Sequence, residues 1–364
     1  FITGNNPPLS IAELEVRYGD VKFEATGSDF VVLKTDVKID QNEFNYLGGA
    51  IKAAEIVGES KKDELIEKLS DALASCYQDK KLDYGISVYG FSEKQLRSIL
   101  LKLKKELRKR DIKSRFINNN FNNISAAQYK SISKSGVELI VVKTDGKYLI
   151  GKVVGVQDID AYSKRDFDKP FRDMNMGMLP PKLAQILINL TGVQGKIWDP
   201  FCGSGTLVME GLLMGRDMMG SDIDPNRLDG AKKNTDWLKK EFNTSAKADL
   251  FVHDAIQPID KKFDAIAFEG DLGIPHNQFI KPDRLQGIIN DLDDLYIRFF
   301  ENLMRMECQA PIVCALPFFK LRNGDEVDMS NTIEEIENMG FEQQIDYLKY
   351  SRENQAVGRA IYKF

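Results

Sequence analysis

Four acidic residues are spaced so that they could hold a small ligand at the edge of a sheet. Asp199 closes the apolar run Lys196-Ile197-Trp198 and is followed by Pro200-Phe201-Cys202-Gly203-Ser204-Gly205-Thr206. A loop this poor in side chains lets backbone N–H groups approach a ligand, and it opens directly into the apolar helix predicted over Leu207–Met214. Asp222 closes the next strand-like run, Met218-Met219-Gly220-Ser221, 23 residues further on. An acid at that spacing accepts hydrogen bonds from both hydroxyls of a ribose. Leu250–His253 ends in Asp254-Ala255, and Phe263–Phe268 ends in Glu269. Open α/β sheets bind ligands beyond the carboxyl ends of their strands, so Asp199 is placed to orient a ligand's amino-acid part and Asp222 its nucleoside part.

Gly203-Ser204-Gly205 by itself is equally a tight strand-to-helix turn. A nicotinamide dinucleotide fold would require a third glycine, and Thr206-Leu207-Val208 follows instead. The order of strands and acids resembles the class I S-adenosylmethionine-dependent methyltransferases. Asp-Pro-Phe-Cys-Gly-Ser-Gly-Thr (199–206) is similar to the first motif of those that methylate exocyclic amines of nucleic-acid bases. The resemblance implies S-adenosyl-L-methionine as cofactor, held by Asp199, Phe201, Gly203, Gly205, Thr206, Asp222, Ile223, Asp254 and Ala255, with Asp254 near the adenine amine. It also implies that the end of the fourth strand carries catalysis. There the family reads Asp-Pro-Pro-Tyr, whereas this chain has Glu269-Gly270-Asp271-Leu272. Glu269, Gly270 and Asp271 are the candidate catalytic residues. The added methylene, the absent prolines and Leu272 in place of a stacking ring leave three readings open: an amine methyltransferase in which Phe268 or another aromatic stacks on the base, altered chemistry, or a non-catalytic RNA-binding protein. Methyl transfer to nitrogen needs no covalent nucleophile, so Cys202 reads as a small loop residue.

Other elements must carry this site. Ser10-Ile11-Ala12-Glu13 is a capping box predicting a helix over Ile11–Tyr18, between strands Phe1–Thr3 and Phe30–Leu33, with an apolar stretch at Ala50–Val57. A helix is predicted over Lys61–Cys76 and a strand over Tyr84–Tyr89. From Ser92 to Arg115 there are ten Lys or Arg against three acids, around the stripe Leu96, Leu100, Leu103 and Leu107. That face is either merely solvated or a phosphate-binding surface formed by Lys104, Lys105, Arg108, Lys109, Lys113 and Arg115. Strand Arg115–Ile117, a short helix capped by Ser125, and a hairpin of Val137–Lys143 and Tyr148–Gln157 follow. Asn123–Gln128 and Ile150–Asp158, with the basic helix, are similar to a THUMP RNA-binding domain.

Asp160–Asp166 reads as a polar connector. Phe171-Arg172-Asp173 then leads into Gly177-Met178-Leu179-Pro180-Pro181, which is either a loop before a Pro-initiated helix or, as the resemblance implies, a segment packed over the cofactor's methionine end. After the fourth strand, a helix over Arg284–Met306, a strand over Pro311–Leu316, a helix over Ser330–Met339 and an antiparallel hairpin of Glu342–Lys349 and Ala356–Phe364 complete the pattern. Gln355-Ala356-Val357-Gly358-Arg359 also matches the family's end.

The expected architecture is therefore α/β, a C-terminal Rossmann-like class I methyltransferase domain with a doubly wound sheet and an antiparallel final hairpin (179–364). A ferredoxin-like α+β domain (1–60), a THUMP domain (61–158) and a linker (159–178) precede it. Over nearly the whole chain the resemblance is to the THUMP-containing tRNA guanine-N2 methyltransferases, which act on the guanosine at tRNA position ten. It implies tRNA as partner and no DNA. An activator protein or a homodimer is not readable from the residues.

Composition narrows the classes further. With 364 residues and a net charge of −5, any nucleic-acid surface must be local. No apolar run reaches a membrane-spanning length. Cys76, Cys202, Cys308 and Cys314 lack metal-site spacing, and His253 and His276 are the two histidines, so no metal is expected and a reducing cytoplasm fits. The chain opens on Phe1 without an initiator methionine, so the native start is expected upstream.

Overall fold

The computed structural model describes every residue except 20, 79, 133–135, 173–177, 274–281 and 353–354, with the side chains of 282 and 283 also left aside. It divides into two compact units, Phe1–Ile11 with Tyr18–Ala161, and Ala12–Arg17 with Tyr162–Phe364.

The chain runs β1 (Ile2–Thr3), α1 (Pro7–Tyr18), β2 (Lys22–Thr26), β3 (Val31–Lys34), α2 (Gln41–Phe44), β4 (Ala50–Ser60), α3 (Leu65–Ala74), β5 (Leu82–Tyr89), α4 (Glu93–Lys109), β6 (Ser114–Phe116), α5 (Ala126–Ile132), β7 (Val137–Lys143), β8 (Tyr148–Val156) and α6 (Ile159–Phe167). The first unit is built on one six-stranded sheet in the order β1-β4-β8-β7-β5-β6. Residues alternate across it as a pleated strand requires. Leu139 and Val141 of β7 join the core under α3 and α4, while Ile140 and Val142 join Ile2, Phe30 and Val32 on the other face.

Three expectations are corrected here. No domain boundary falls at residue 60, because β4 pairs with β8 from Lys52–Val156 to Ser60–Tyr148 within the same sheet. Helix α1 starts at Pro7 rather than Ile11. Asn6 is its cap, with Oδ1 accepting from the Leu9 amide at 3.4 Å, and the prolines occupy the first turn, where a missing N–H costs nothing. Ser10 is buried and donates to the Gly49 carbonyl at 2.6 Å instead of capping. The stretch expected as a connector, 160–166, is helical within α6.

The second unit continues with α7 (Pro181–Leu190), β9 (Ile197–Asp199), α8 (Thr206–Leu213), β10 (Met218–Asp222), α9 (Pro225–Phe242), β11 (Ala248–Val252), β12 (Ala265–Glu269), α10 (Pro282–Arg305), β13 (Ile312–Lys320), β14 (Glu326–Val327), α11 (Ser330–Asn338), β15 (Leu348–Tyr350) and β16 (Val357–Lys363). Its sheet runs β11-β10-β9-β12-β13-β16-β15, with β14 beside β13. The first five strands are parallel, and β16 and β15 are antiparallel to their neighbours. The order reverses between β9 and β12, the switch point at which a doubly wound sheet opens a crevice. Trp198, Phe268, Phe299 and Phe300, all fully buried, anchor the core between this sheet and α10. Helix α9 has no counterpart among the sequence expectations, since its few buried positions (Leu228, Ala231, Asn234, Thr235, Leu238) are separated by charged residues.

Candidate active site

A cavity of about 210 Å³ lies at the switch point. Its walls include Asp199, Phe201, Gly203, Thr206, Asp222, Ile223, Asp254 and Ala255, and also Glu269, Gly270 and Asp271. The candidate cofactor and catalytic residues thus converge on one space, except Gly205. Gly205 caps α8 at φ +81°, and a Cβ on it would stand 3.0 Å from that of Ala231.

The loop after β9 is held by its own acids. Asp199 is buried, with Oδ1 accepting from the Phe201 amide at 3.1 Å. Burial pushes its pKa well above the usual carboxylate range, and the charges of Asp222 and Glu269 add to the effect. Asp222 accepts from the amides of Gly203 and Asp224, each at 2.9 Å. The Cys202 thiol is pushed far up by burial and by Asp199 and Asp222, so it stays protonated as a loop residue. Asp254 accepts from the Ile256 amide at 3.2 Å. Ile223 is 67% exposed although apolar, and it borders the cavity.

These features fit a cationic nucleoside ligand. Five carboxylates against one arginine, Arg227, line the cavity, which favours an ammonium or sulfonium and opposes a pyrophosphate. A Cβ on Gly203 would meet no protein atom within 4 Å, so that part of the loop faces open space. Ile223 offers an apolar face beside Asp222.

At the end of β12 the backbone is fixed without prolines. Gly270 donates to the Ala315 carbonyl at 3.1 Å, and a Cβ on it would fall within 2.3 Å of the Tyr296 hydroxyl. That hydroxyl donates to the Asp271 carbonyl, and Asp271 Oδ1 accepts from the Gly273 amide at 2.8 Å. Leu272 is buried in the core and Phe268 is fully buried, so neither can stack on a base, and the expectation for Phe268 is corrected. Two rings line the cavity, that of His253 and that of half-buried Phe201, the latter packed 5.1 Å from Phe268 and 5.4 Å from Phe299. Glu269 is ion-paired with Arg359.

Several supporting residues escape sequence reasoning. Buried Lys169 donates to the Thr206 hydroxyl at 3.0 Å, and burial lowers its pKa. Asn234 of α9 donates to the carbonyls of Phe171 and Ser204 and accepts from the Phe171 amide, tying the lead-in segment to the glycine loop. Arg165 and Glu210 form a buried pair under α8, with N···O distances of 2.7 and 3.2 Å. None of these positions has a periodic signal; their shared mark is a polar side chain buried away from the strand ends. Asp173 and Gly177 of the lead-in segment, and His276, lie outside the described residues.

Lys104, Lys105, Arg108, Lys109, Lys113 and Arg115 are all exposed on the first unit, while Leu96, Leu100, Leu103 and Leu107 are buried beneath. Lys109 pairs with Glu106 at 2.9 Å, and Arg115 makes a two-pronged contact with Asp83 at 3.0 and 2.5 Å. Among the described residues no group of three His, Cys, Asp or Glu side chains could hold a metal, and no helix is long and apolar enough to cross a membrane.

A parallel ladder of five strands, an antiparallel pair closing it and an acid-lined cavity at the switch point define the class I methyltransferase fold. The chain superposes over its full length on 97% of TrmN from Thermus thermophilus, with a TM-score of 0.51 and 14% identity, which establishes the fold. Residues 170–259 match the family described as UPF0020, an RMKL-like methyltransferase domain. Curated relatives carry the name tRNA (guanine(10)-N2)-dimethyltransferase. That of Methanothermobacter thermautotrophicus is 37% identical over 106 residues, covering 27% of this chain and 29% of the relative. That of Pyrococcus abyssi is 28% identical over 171 residues, covering 47% and 45%. The chain therefore matches less than half the length of either relative.

Proposed function

We propose that this protein transfers a methyl group from S-adenosyl-L-methionine to the exocyclic N2 amine of a guanosine in tRNA. The observation that carries this reading is the convergence of Asp199, Asp222, Asp254 and Glu269, from the ends of four parallel strands, on one cavity. The relatives' names supply the choice of tRNA and guanosine. When bound, the cofactor supplies an electrophilic methyl on a sulfonium. Asp222 accepts from the ribose hydroxyls, Asp199 faces the amino-acid ammonium, Asp254 takes the adenine amine and Ile223 covers the base. Glu269 accepts from the target amine and orients its lone pair, and Phe201 offers an apolar aromatic ring at the cavity. Unit one, read as a THUMP-type module, holds the tRNA through its basic face in a reducing cytoplasm, consistent with four free cysteines.

The absence of a ring at Leu272 and the engagement of Glu269 by Arg359 favour a second reading, an RNA-binding protein with altered or lost catalysis. One assay separates the two. Purified protein with methyl-labelled cofactor is offered unmodified tRNA and duplex DNA, beside Glu269→Ala. Label in tRNA alone, lost in the variant while S-adenosylhomocysteine still binds, supports the enzyme; tRNA binding without transfer supports the alternative, and transfer to DNA overturns the substrate assignment.

A further inference from the structure

Glu269 reaches the cavity from β12 with one oxygen already engaged. Oε1 is hydrogen-bonded and ion-paired with Nε of Arg359, whose side chain is 1% exposed against 12% for Glu269. Arg359 stands on β16 opposite Pro317 of β13 and Tyr350 of β15, so sheet register, rather than a flexible loop, presents the guanidinium. Its Cζ lies 5.9 Å from the Tyr350 ring.

Among the described residues, the other groups that act on this carboxyl carry no compensating charge. Asp199 on β9 is close enough for Glu269 to raise its pKa, and Tyr296 on α10 feels Glu269 together with Asp271 and the Cys314 thiol of β13. Burial pushes the Glu269 pKa up, and Arg359 is the group that pulls it down. A glutamate has one more rotatable bond than an aspartate, so at the end of a strand it needs a clamp to present one oxygen reproducibly. A guanidinium donates from a rigid planar fork and remains charged when buried, which makes it the clamp suited to this place.

Resting on the methyltransferase reading above, we infer that Arg359 is a positioning residue for the transfer step: it holds Glu269 in one orientation, committing Oε1 to the guanidinium and leaving Oε2 to accept from the target amine. In that step the amine lone pair forms the N–C bond, the S–C bond breaks with its electron pair remaining on sulfur, and the extra proton on nitrogen leaves through Glu269 to solvent. Burial raises the Glu269 pKa and Arg359 opposes that rise, so the pair favours a carboxylate that accepts this hydrogen bond and releases the proton again.

The test compares wild type with Arg359→Met, Arg359→Lys and Glu269→Gln. Four measurements are made on each: S-adenosylhomocysteine affinity by calorimetry, thermal unfolding, kcat against pH, and the Glu269 carboxyl titration by infrared difference spectroscopy, assigned with E269Q. R359M is expected to bind S-adenosylhomocysteine within about twofold of wild type, to lose at least about tenfold in kcat at neutral pH, and to show both its acid limb and its carboxyl titration at higher pH, with part of the rate restored there. R359K should fall between the two. A folded R359M with an unchanged limb and titration overturns the proposal. If R359M does not fold, R359K decides, and wild-type kcat and titration in that variant overturn it equally. Wild-type protein that binds S-adenosylhomocysteine but methylates no RNA overturns the functional reading and, with it, this proposal; wild-type transfer with an unaltered Arg359 variant overturns the proposal alone.

Discussion

The Gly203 amide donates to Oδ2 of Asp222 at 2.9 Å, so the glycine loop after β9 is pinned by the acid at the end of β10. The carboxylate that shapes the loop is thus the one proposed to accept from the cofactor's ribose. Asp222→Ala should lose both functions. Charge-assisted hydrogen bonds are each worth about 1.5–3 kcal/mol, so S-adenosylhomocysteine affinity should fall at least about tenfold by calorimetry. Equal affinity in the variant would remove Asp222 from the site.

Lys169 has three donors and no acceptor, so the hydroxyl of Thr206 must accept from it at 3.0 Å and turn its own proton elsewhere. Thr206 lines the cavity, and a ligand carboxylate is the acceptor that would satisfy it. Lys169→Met and Thr206→Val should each weaken S-adenosylhomocysteine by about tenfold, with the double variant no worse than either single one. Additive losses in that double-mutant cycle would mean that the two residues act independently.

The raised pKa of Asp199 has a definite sign in stability. The native state holds this proton more tightly than the unfolded chain, whose reference value is 3.8, so the ligand-free protein should lose stability as pH rises from that value through the folded pKa. Cofactor binding, which rewards the ionised form, should strengthen over the same interval. Asp199→Asn should flatten the stability profile in pH-dependent thermal melts and abolish binding; an unflattened profile would assign the dependence to another group.

Gly230 packs against the Phe171 ring, with the position of an added Cβ only 2.2 Å from a ring carbon. Gly230→Ala should cost about 1–3 kcal/mol in thermal unfolding, and Phe171→Leu in the same chain should recover part of it. No loss in G230A would show that the segment moves aside at no cost.

On the first unit, Lys104, Lys105 and Arg108 are exposed, whereas Lys109 and Arg115 are engaged by Glu106 and Asp83. Reversing those three charges should weaken tRNA of every sequence and flatten the salt dependence by roughly 0.7 in log–log slope for each phosphate that is no longer neutralised, leaving S-adenosylhomocysteine affinity unchanged. Unaltered affinity and slope would make this face a solvated surface.

The parallel ladder was legible because four of its five strands are short apolar runs that lead into an acid, and the glycines between Asp199 and Thr206 mark the turn into a helix. The site's framework was less legible. Lys169, Asn234 and Arg359 act across distances of 37, 30 and 90 residues, and a single chain offers no periodicity that links such positions. Ser10 and Glu13 satisfied a local capping pattern, yet burial used Ser10 for a hydrogen bond to Gly49 while Asn6 and two prolines started the helix. The resemblance set Leu272 against the family's stacking ring, and its apolar side chain is buried in the core.

Strand β16 follows β15 in the chain but lies inside it in the sheet, between β13 and β15. A ribosome therefore delivers the outer strand before the inner one, and β13 is left with an open edge until residues 357–363 have emerged and seated. Arg359 arrives with that strand, so Glu269 is synthesised 90 residues ahead of its counter-ion. Vectorial synthesis thus delivers the acid at the cavity wall before the arginine that pairs with it. Nascent chains arrested ahead of β16 should retain an exposed sheet edge and draw on chaperones until the last hairpin inserts.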